Sequence, residues 1–182
     1  MTRTRTGSLS RSSDRLIRSA PMAKDKVPST PALLALRAAK VPFEIHQYQY
    51  VDKGGTRVSA EALGVDEHAV IKTIVLETSD KKPLICLMHG DRQISTKQLA
   101  RVLGEKTVTP CDPTVAHRHT GYQVGGTSPF GTRKALPVYV EKSILELERI
   151  YINGGGRGLL VAISPAVLTT LVQATPVEVA TE

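Results

Sequence analysis

Val70-Ile-Lys-Thr-Ile-Val-Leu76 is a run of mostly β-branched residues interrupted by one charge, Lys72. That composition reads as a core strand. After Ser79-Asp-Lys-Lys82, Pro83 to Met88 forms a second apolar run. A polar connection of this length between two such runs predicts an antiparallel hairpin. The hairpin sets a sheet at the centre of the chain, and the flanking segments are read from it.

Toward the N-terminus, Phe43 to Tyr50 alternates apolar and polar residues, the period of a half-buried strand. Thr30-Pro31 predicts a helix start, with Val41-Pro42 ending the helix. A Gly54-Gly55 loop precedes a short helix around Ser59 to Leu63, closed by Gly64. Toward the C-terminus, Ser95 or Thr96 caps a helix through Leu103, stopped by Gly104. Asp112-Pro113 starts another that ends near Gly121. Strands are expected at Val138–Val140, Arg149–Ile152 and Gly158–Ile163, and Ser164-Pro165 caps a last helix through about Val172. Short helices interspersed among strands predict one mixed α/β domain, residues 30–182, around a mixed sheet.

Residues 1–29 are rich in Ser, Thr and Arg and poor in large apolar side chains, which predicts a disordered basic tail or an upstream extension. Residues 1–21 hold five arginines against one aspartate, a net +4 of the chain's +7. Met22 is an alternative start. The segment lacks the apolar stretch of a secretory signal. No apolar run reaches the roughly 18 residues that span a bilayer, so no membrane partner is expected. Two cysteines, Cys86 and Cys111, are too few for a disulfide scaffold and fit a reducing, cytoplasmic setting. Cys86 lies in an apolar run and reads as a buried thiol.

Few residues carry obvious chemistry. Lys72 either sits on an exposed strand face or points at something anionic. Ser128 has no Gly-x-Ser-x-Gly context and is a weak candidate nucleophile. His117 and His119, two apart on a helix, point to different faces and read as surface residues rather than metal ligands. Asn153-Gly-Gly-Gly-Arg-Gly158 lacks the Gly-Lys-Ser/Thr ending of a phosphate loop and is followed by a strand. It reads as a loop lining a pocket beside Gly121–Pro137, whose Gly125-Gly126 pair permits close approach to the backbone. Consecutive N–H groups there could converge on an anion or a polarised carbonyl. No cofactor or metal is expected.

Several stretches together resemble the bacterial YbaK/EbsC family of free-standing cysteinyl-tRNA(Pro) deacylases. They are Thr30-Pro-Ala32, Ile45-His-Gln-Tyr48, Ile71-Lys-Thr73, Asp112-Pro-Thr-Val-Ala116, Thr120-Gly-Tyr-Gln-Val-Gly-Gly-Thr-Ser-Pro-Phe-Gly131 and Ile150-Tyr-Ile-Asn-Gly-Gly-Gly-Arg-Gly-Leu159. The resemblance runs from about residue 30 to the C-terminus. It implies a mixed α/β domain around a distorted barrel-like sheet, related to the editing domain of bacterial prolyl-tRNA synthetases. It also implies removal of cysteine from misacylated tRNA(Pro), with prolyl-tRNA synthetase as the partner that supplies tRNA selectivity. The cysteinyl thiol would attack its own ester, so no protein nucleophile is required.

By the same resemblance, Lys72, Gly125 and Gly126 are the catalytic positions. Tyr48, Thr73, Ser128, Pro129, Asn153 and Gly154 are implied to bind substrate. Three positions depart from the family: Gly55 where Phe is common, Asn153 where Ser is common, and Leu160 where Asp is common. These leave the amino acid open, with alanine as one alternative. A non-catalytic module that binds an aminoacyl-tRNA end is the other.

Overall fold

The computed structural model describes residues 28–182. The expected tail at residues 1–29 lies outside them except for its last two positions. In chain order the elements are α1 Pro31–Ala38, β1 Glu44–Gln47, α2 Gly55–Leu63, β2 Val70–Thr78, β3 Pro83–His89, β4 Gln93–Ile94, α3 Thr96–Leu103 and β5 Val108–Pro110. They continue with α4 Pro113–Thr120, β6 Val138–Glu141, β7 Ile150–Gly156, β8 Leu159–Ile163, α5 Ala166–Thr170, β9 Thr175–Val177 and β10 Ala180–Thr181. The mixed α/β class expected from the sequence is the one observed.

The helices begin and end where capping chemistry says they should. Thr30, Ser95 and Asp112 each accept a hydrogen bond from a first-turn backbone N–H of α1, α3 and α4. Gly64, Gly104 and Gly121 end α2, α3 and α4 in the left-handed conformation that glycine adopts without strain. Helices α2 and α5 start without a side-chain cap, and α5 stops at Thr170, two residues short of the expected end.

The predicted hairpin of β2 and β3 is the centre of an eight-stranded sheet, in which seven strands run in the order β1-β8-β7-β2-β3-β6-β9 and β5 pairs with β2 off that path. It pairs antiparallel from Ile71↔His89 to Glu77↔Pro83. On its other edge β2 is shared. β7 runs parallel to Val70 and Ile71, while β5 runs antiparallel to Leu76, Glu77 and Thr78. Between them, residues 72–75 have no strand partner on that edge. This gap positions everything described below.

The glycine run after Asn153, expected as a loop, belongs to β7. It is accommodated as an irregularity between Asn153 and Gly156, where the register with β8 shifts. Helix α2 takes in Gly55, four residues before the expected start. Strands β4, β5, β9 and β10, each two or three residues long, were too short to leave a periodic signal. The main core packs Leu33 and Leu36 of α1 against Ile85, Leu87, Ile150, Ile152 and Val161 of the sheet. A second cluster seats α3 through Leu99 on Leu84, Cys86 and Met88. Cys86 is fully buried, as expected, and burial pushes its thiol up to about 12.

His89 is 1% exposed and anchors a polar network beneath the start of β2. Its Nδ1 lies 2.7 Å from the His68 carbonyl oxygen, which can only accept, so Nδ1 carries the proton. Nε2 therefore accepts from the Ser143 hydroxyl at 2.7 Å. The His68 ring stacks on it at 3.7 Å between centroids and meets Asp91 at 2.8 Å. Burial holds the His89 imidazole below its ordinary range; proximity to His68 works the same way, while the His68 carbonyl, Asp91 and Glu141 oppose it. His119, expected at the surface, is also buried, and burial, Lys134 and Arg118 depress it too. A depressed histidine binds its proton more readily unfolded, so its contribution is complete above about pH 6.5 and lost as pH falls below that. Calorimetry should show Tm falling from pH 7.5 to 5.5, with a shallower fall in His89→Gln.

Candidate functional site

The gap on the β2 edge opens into a cavity of about 490 Å³, within the range of small-ligand sites. Residues 70–75 of β2 form its wall. Tyr48, α2 and Leu160 close one side, Cys111 and the first turn of α4 another, and Gly125 and Asn153 the mouth. Val51 and Val124 stand beside the mouth half-exposed, an apolar rim without a core role.

Lys72 is half-buried, and its ammonium donates to the Arg92 carbonyl. Burial holds its pKa below the usual lysine value, while Glu67 and Asp91 act in the other direction. One of three ammonium protons is engaged, which leaves two for a ligand. Lys72 lines the cavity, and its ammonium rests on a main-chain carbonyl rather than on a carboxylate. Thr73, next to it, also lines the cavity, and its Oγ1 is buried with no hydrogen-bond partner. Tyr48 borders the cavity while packing on Ala60, Val70 and Leu160, and burial raises its phenol.

The glycine pair divides. Gly125 lines the cavity with φ +85°, and a Cβ there would lie 2.6 Å from the Tyr50 hydroxyl. The Gly126 N–H closes a turn onto the Gln123 carbonyl at 2.9 Å, so it is not free to meet a ligand. Arg157 ties down the same turn from outside, donating to the Val124 carbonyl at 3.0 Å with its guanidinium 5.1 Å from the Tyr50 ring centroid.

Asn153 is a clamp. Its Nδ2 donates to the Gly125 carbonyl at 3.2 Å and the Gly156 carbonyl at 3.1 Å. Its Oδ1 accepts from the N–H groups of Gly155 and Gly156 at 2.7 and 3.1 Å. Both donors and both lone pairs are thereby used. Asn153 thus positions Gly125 rather than offering a free group to substrate.

Ser128, Pro129 and Gly154 do not border the cavity. Ser128 is fully buried and its hydroxyl accepts from the Phe130 N–H at 3.2 Å. Pro129 is buried beside it. The Gly154 carbonyl accepts from the Thr30 hydroxyl at 2.5 Å, which joins the start of α1 to β7. Sequence reasoning did not place Cys111 in the cavity wall. Its thiol lies 3.8 Å from Glu77 Oε2, and burial together with that carboxylate pushes it up to about 11. His117 is exposed, and among the described residues no group of three His, Cys, Asp or Glu side chains could hold a metal ion. No helix of the described residues is long and apolar enough to cross a membrane.

With this geometry established, comparison with known proteins gives a family. The aminoacyl-tRNA editing domain profile matches residues 55–171, which hold most of the cavity wall and the glycine turn. The chain belongs to the aminoacyl-tRNA editing domain family. This editing domain is 27% identical over 163 residues to the Enterococcus faecalis protein named "Putative Cys-tRNA(Pro)/Cys-tRNA(Cys) deacylase EbsC", covering 88% of the chain and 99% of that protein. It is 25% identical to a proline–tRNA ligase of Thermodesulfovibrio yellowstonii, over 75% of the chain but only 22% of the ligase. Its fold is similar to a crystal structure described as "a putative trans-editing enzyme for prolyl tRNA synthetase", with a TM-score of 0.75 at 19% identity, covering 86% and 100% of the two chains.

The clamp is testable in the editing domain. Asn153→Asp keeps the shape but turns both donors into acceptors facing two carbonyls. It should cost about 1–3 kcal/mol, a Tm fall of about 2–12 °C for a chain of this size. An unchanged Tm by scanning calorimetry would show that the clamp holds nothing.

Proposed function

We propose that the chain is a free-standing editing deacylase that clears misacylated tRNA, with Cys-tRNA(Pro) as substrate. The observation that carries this reading is a cavity with a cation and exposed backbone but no activated nucleophile. Cys111, the thiol in its wall, is raised to about 11, so on the order of one molecule in ten thousand is thiolate at pH 7. Cys86 and Ser128 are buried away from the cavity. A substrate that brings its own thiol fits that inventory.

In this reading Lys72 holds the negatively charged acceptor end of the tRNA, and Gly125 lets the ester carbonyl approach the backbone. The substrate's sulfur attacks its own acyl carbon. A C–S bond forms, the ester C–O bond breaks, and the thiol proton ends on the ribose oxygen. The products are tRNA and a cyclic thiolactone. Editing is needed because cysteine and proline are similar in size, and a size-based sieve separates them weakly. Related segments built into proline–tRNA ligases support prolyl-tRNA synthetase as the partner supplying tRNA selectivity. A second reading, editing of another small amino acid such as alanine, is favoured by the apolar floor at Leu160.

Rates on purified protein decide between them. Lys72→Ala should lower deacylation of Cys-tRNA(Pro) by roughly one to two decades, the worth of a charge-assisted contact felt in the transition state. Cys111→Ser and Cys86→Ser should retain most activity. Ser-tRNA(Pro) should react far more slowly than Cys-tRNA(Pro), since a hydroxyl ionises much less readily than a thiol of pKa about 8.5. Rapid release of serine or alanine, or loss of activity in a folded Cys111→Ser protein, would overturn the substrate-assisted reading.

A further inference from the structure

We propose that the main chain of Thr73 binds the α-ammonium group and acyl carbonyl of the amino acid, so that the site selects α-aminoacyl groups over acyl groups lacking the amine. This deepens the editing reading and rests on it.

The direction of the Thr73 peptide groups follows from the sheet. The Val75 carbonyl accepts from the Cys111 N–H at 3.0 Å, so Val75 turns its main chain away from β3 and toward β5. The Val70 carbonyl accepts from the Gly90 N–H at 2.7 Å, on the β3 side. Successive residues of a strand alternate in direction, so Thr73 faces the same way as Val75. On that edge β7 pairs with β2 only at Val70 and Ile71, and β5 begins only at Leu76. The N–H and C=O of Thr73 therefore point into the gap with no strand partner, and Thr73 lines the cavity that fills it. The residue's hydroxyl is buried and without a partner as well.

Buried main-chain groups are almost always paired, so an unpaired donor and acceptor at a cavity wall are a binding edge. An α-aminoacyl group is chemically one residue of a chain: its nitrogen donates and its carbonyl accepts on adjacent carbons. That is the pattern a neighbouring strand presents to an edge residue. The Thr73 C=O, an acceptor only, suits the ammonium, and the Thr73 N–H suits the acyl carbonyl. Lys72, the next residue, lies on the opposite face of the strand with its ammonium on the Arg92 carbonyl.

The test uses the full chain and two adenosine probes carrying a stable 3′-amide in place of the ester. One bears a cysteinyl group and the other its des-amino counterpart, 3-mercaptopropanoyl. Calorimetry should find the cysteinyl probe bound about tenfold or more tighter, the scale of one charge-assisted hydrogen bond. The ratio should persist in Thr73→Val, which removes the hydroxyl and keeps the main chain. Equal affinities, or no binding of either probe, would overturn the inference. Loss of the ratio in a folded Thr73→Val protein would also overturn it, by assigning recognition to the hydroxyl. Deacylation of Cys-tRNA(Pro), measured alongside, keeps the two proposals apart. Discrimination by an inactive protein would leave this inference standing and remove the catalytic one.

Discussion

The fold turns on one strand whose two edges are used differently. Along β3, β2 is paired from Ile71 to Glu77. On the other edge, two strands share it and leave residues 72–75 between them. An open edge inside a sheet is costly, since unpaired buried peptide groups cost free energy. Here the opening is the cavity, and its walls come from whatever surrounds the gap: α2, Tyr48, the start of α4 and the glycine turn. Lys72 and Thr73 are next to each other in sequence and on opposite faces of the same strand. The strand therefore brings a cation and the Thr73 main chain to one opening.

The glycine-rich signature serves this opening mostly as scaffold. Tyr122 and Phe130 are buried in the main core, with the Tyr122 hydroxyl on the Phe130 carbonyl at 2.6 Å. Burial pushes that phenol up to about 12. Gly131 has φ +64°, and a Cβ there would lie 2.5 Å from the Pro31 carbonyl oxygen. The string thus locks the start of α1 against the site, while Asn153 fixes the turn that carries Gly125. Gly125 is the member of the pair that reaches the cavity.

The hairpin and most of the helix ends were legible because each has a local cause: β-branched runs, Thr-Pro and Asp-Pro starts, glycine stops. The short strands β5, β9 and β10 were not, since they form only by pairing with distant segments. The resemblance implied that Asn153 binds substrate, yet its four bonds are all taken within the chain. Ser128 stood in a specific motif for a packing reason rather than a chemical one. Cys111 in the cavity wall had no sequence signal, because β5 brings it there across more than thirty residues. His119 went inside because the helix face it shares with Thr120 turns toward the core.

The central claim is that the substrate supplies the nucleophile and this chain supplies position and charge. Rapid quenching of a reaction with Cys-tRNA(Pro), followed by mass spectrometry of the small-molecule products and of the protein, tests it most directly. The account predicts a cyclic thiolactone, one water lighter than cysteine, as the first product released, with the protein mass unchanged. Free cysteine as the first product, or a protein heavier by one cysteinyl group, would contradict it.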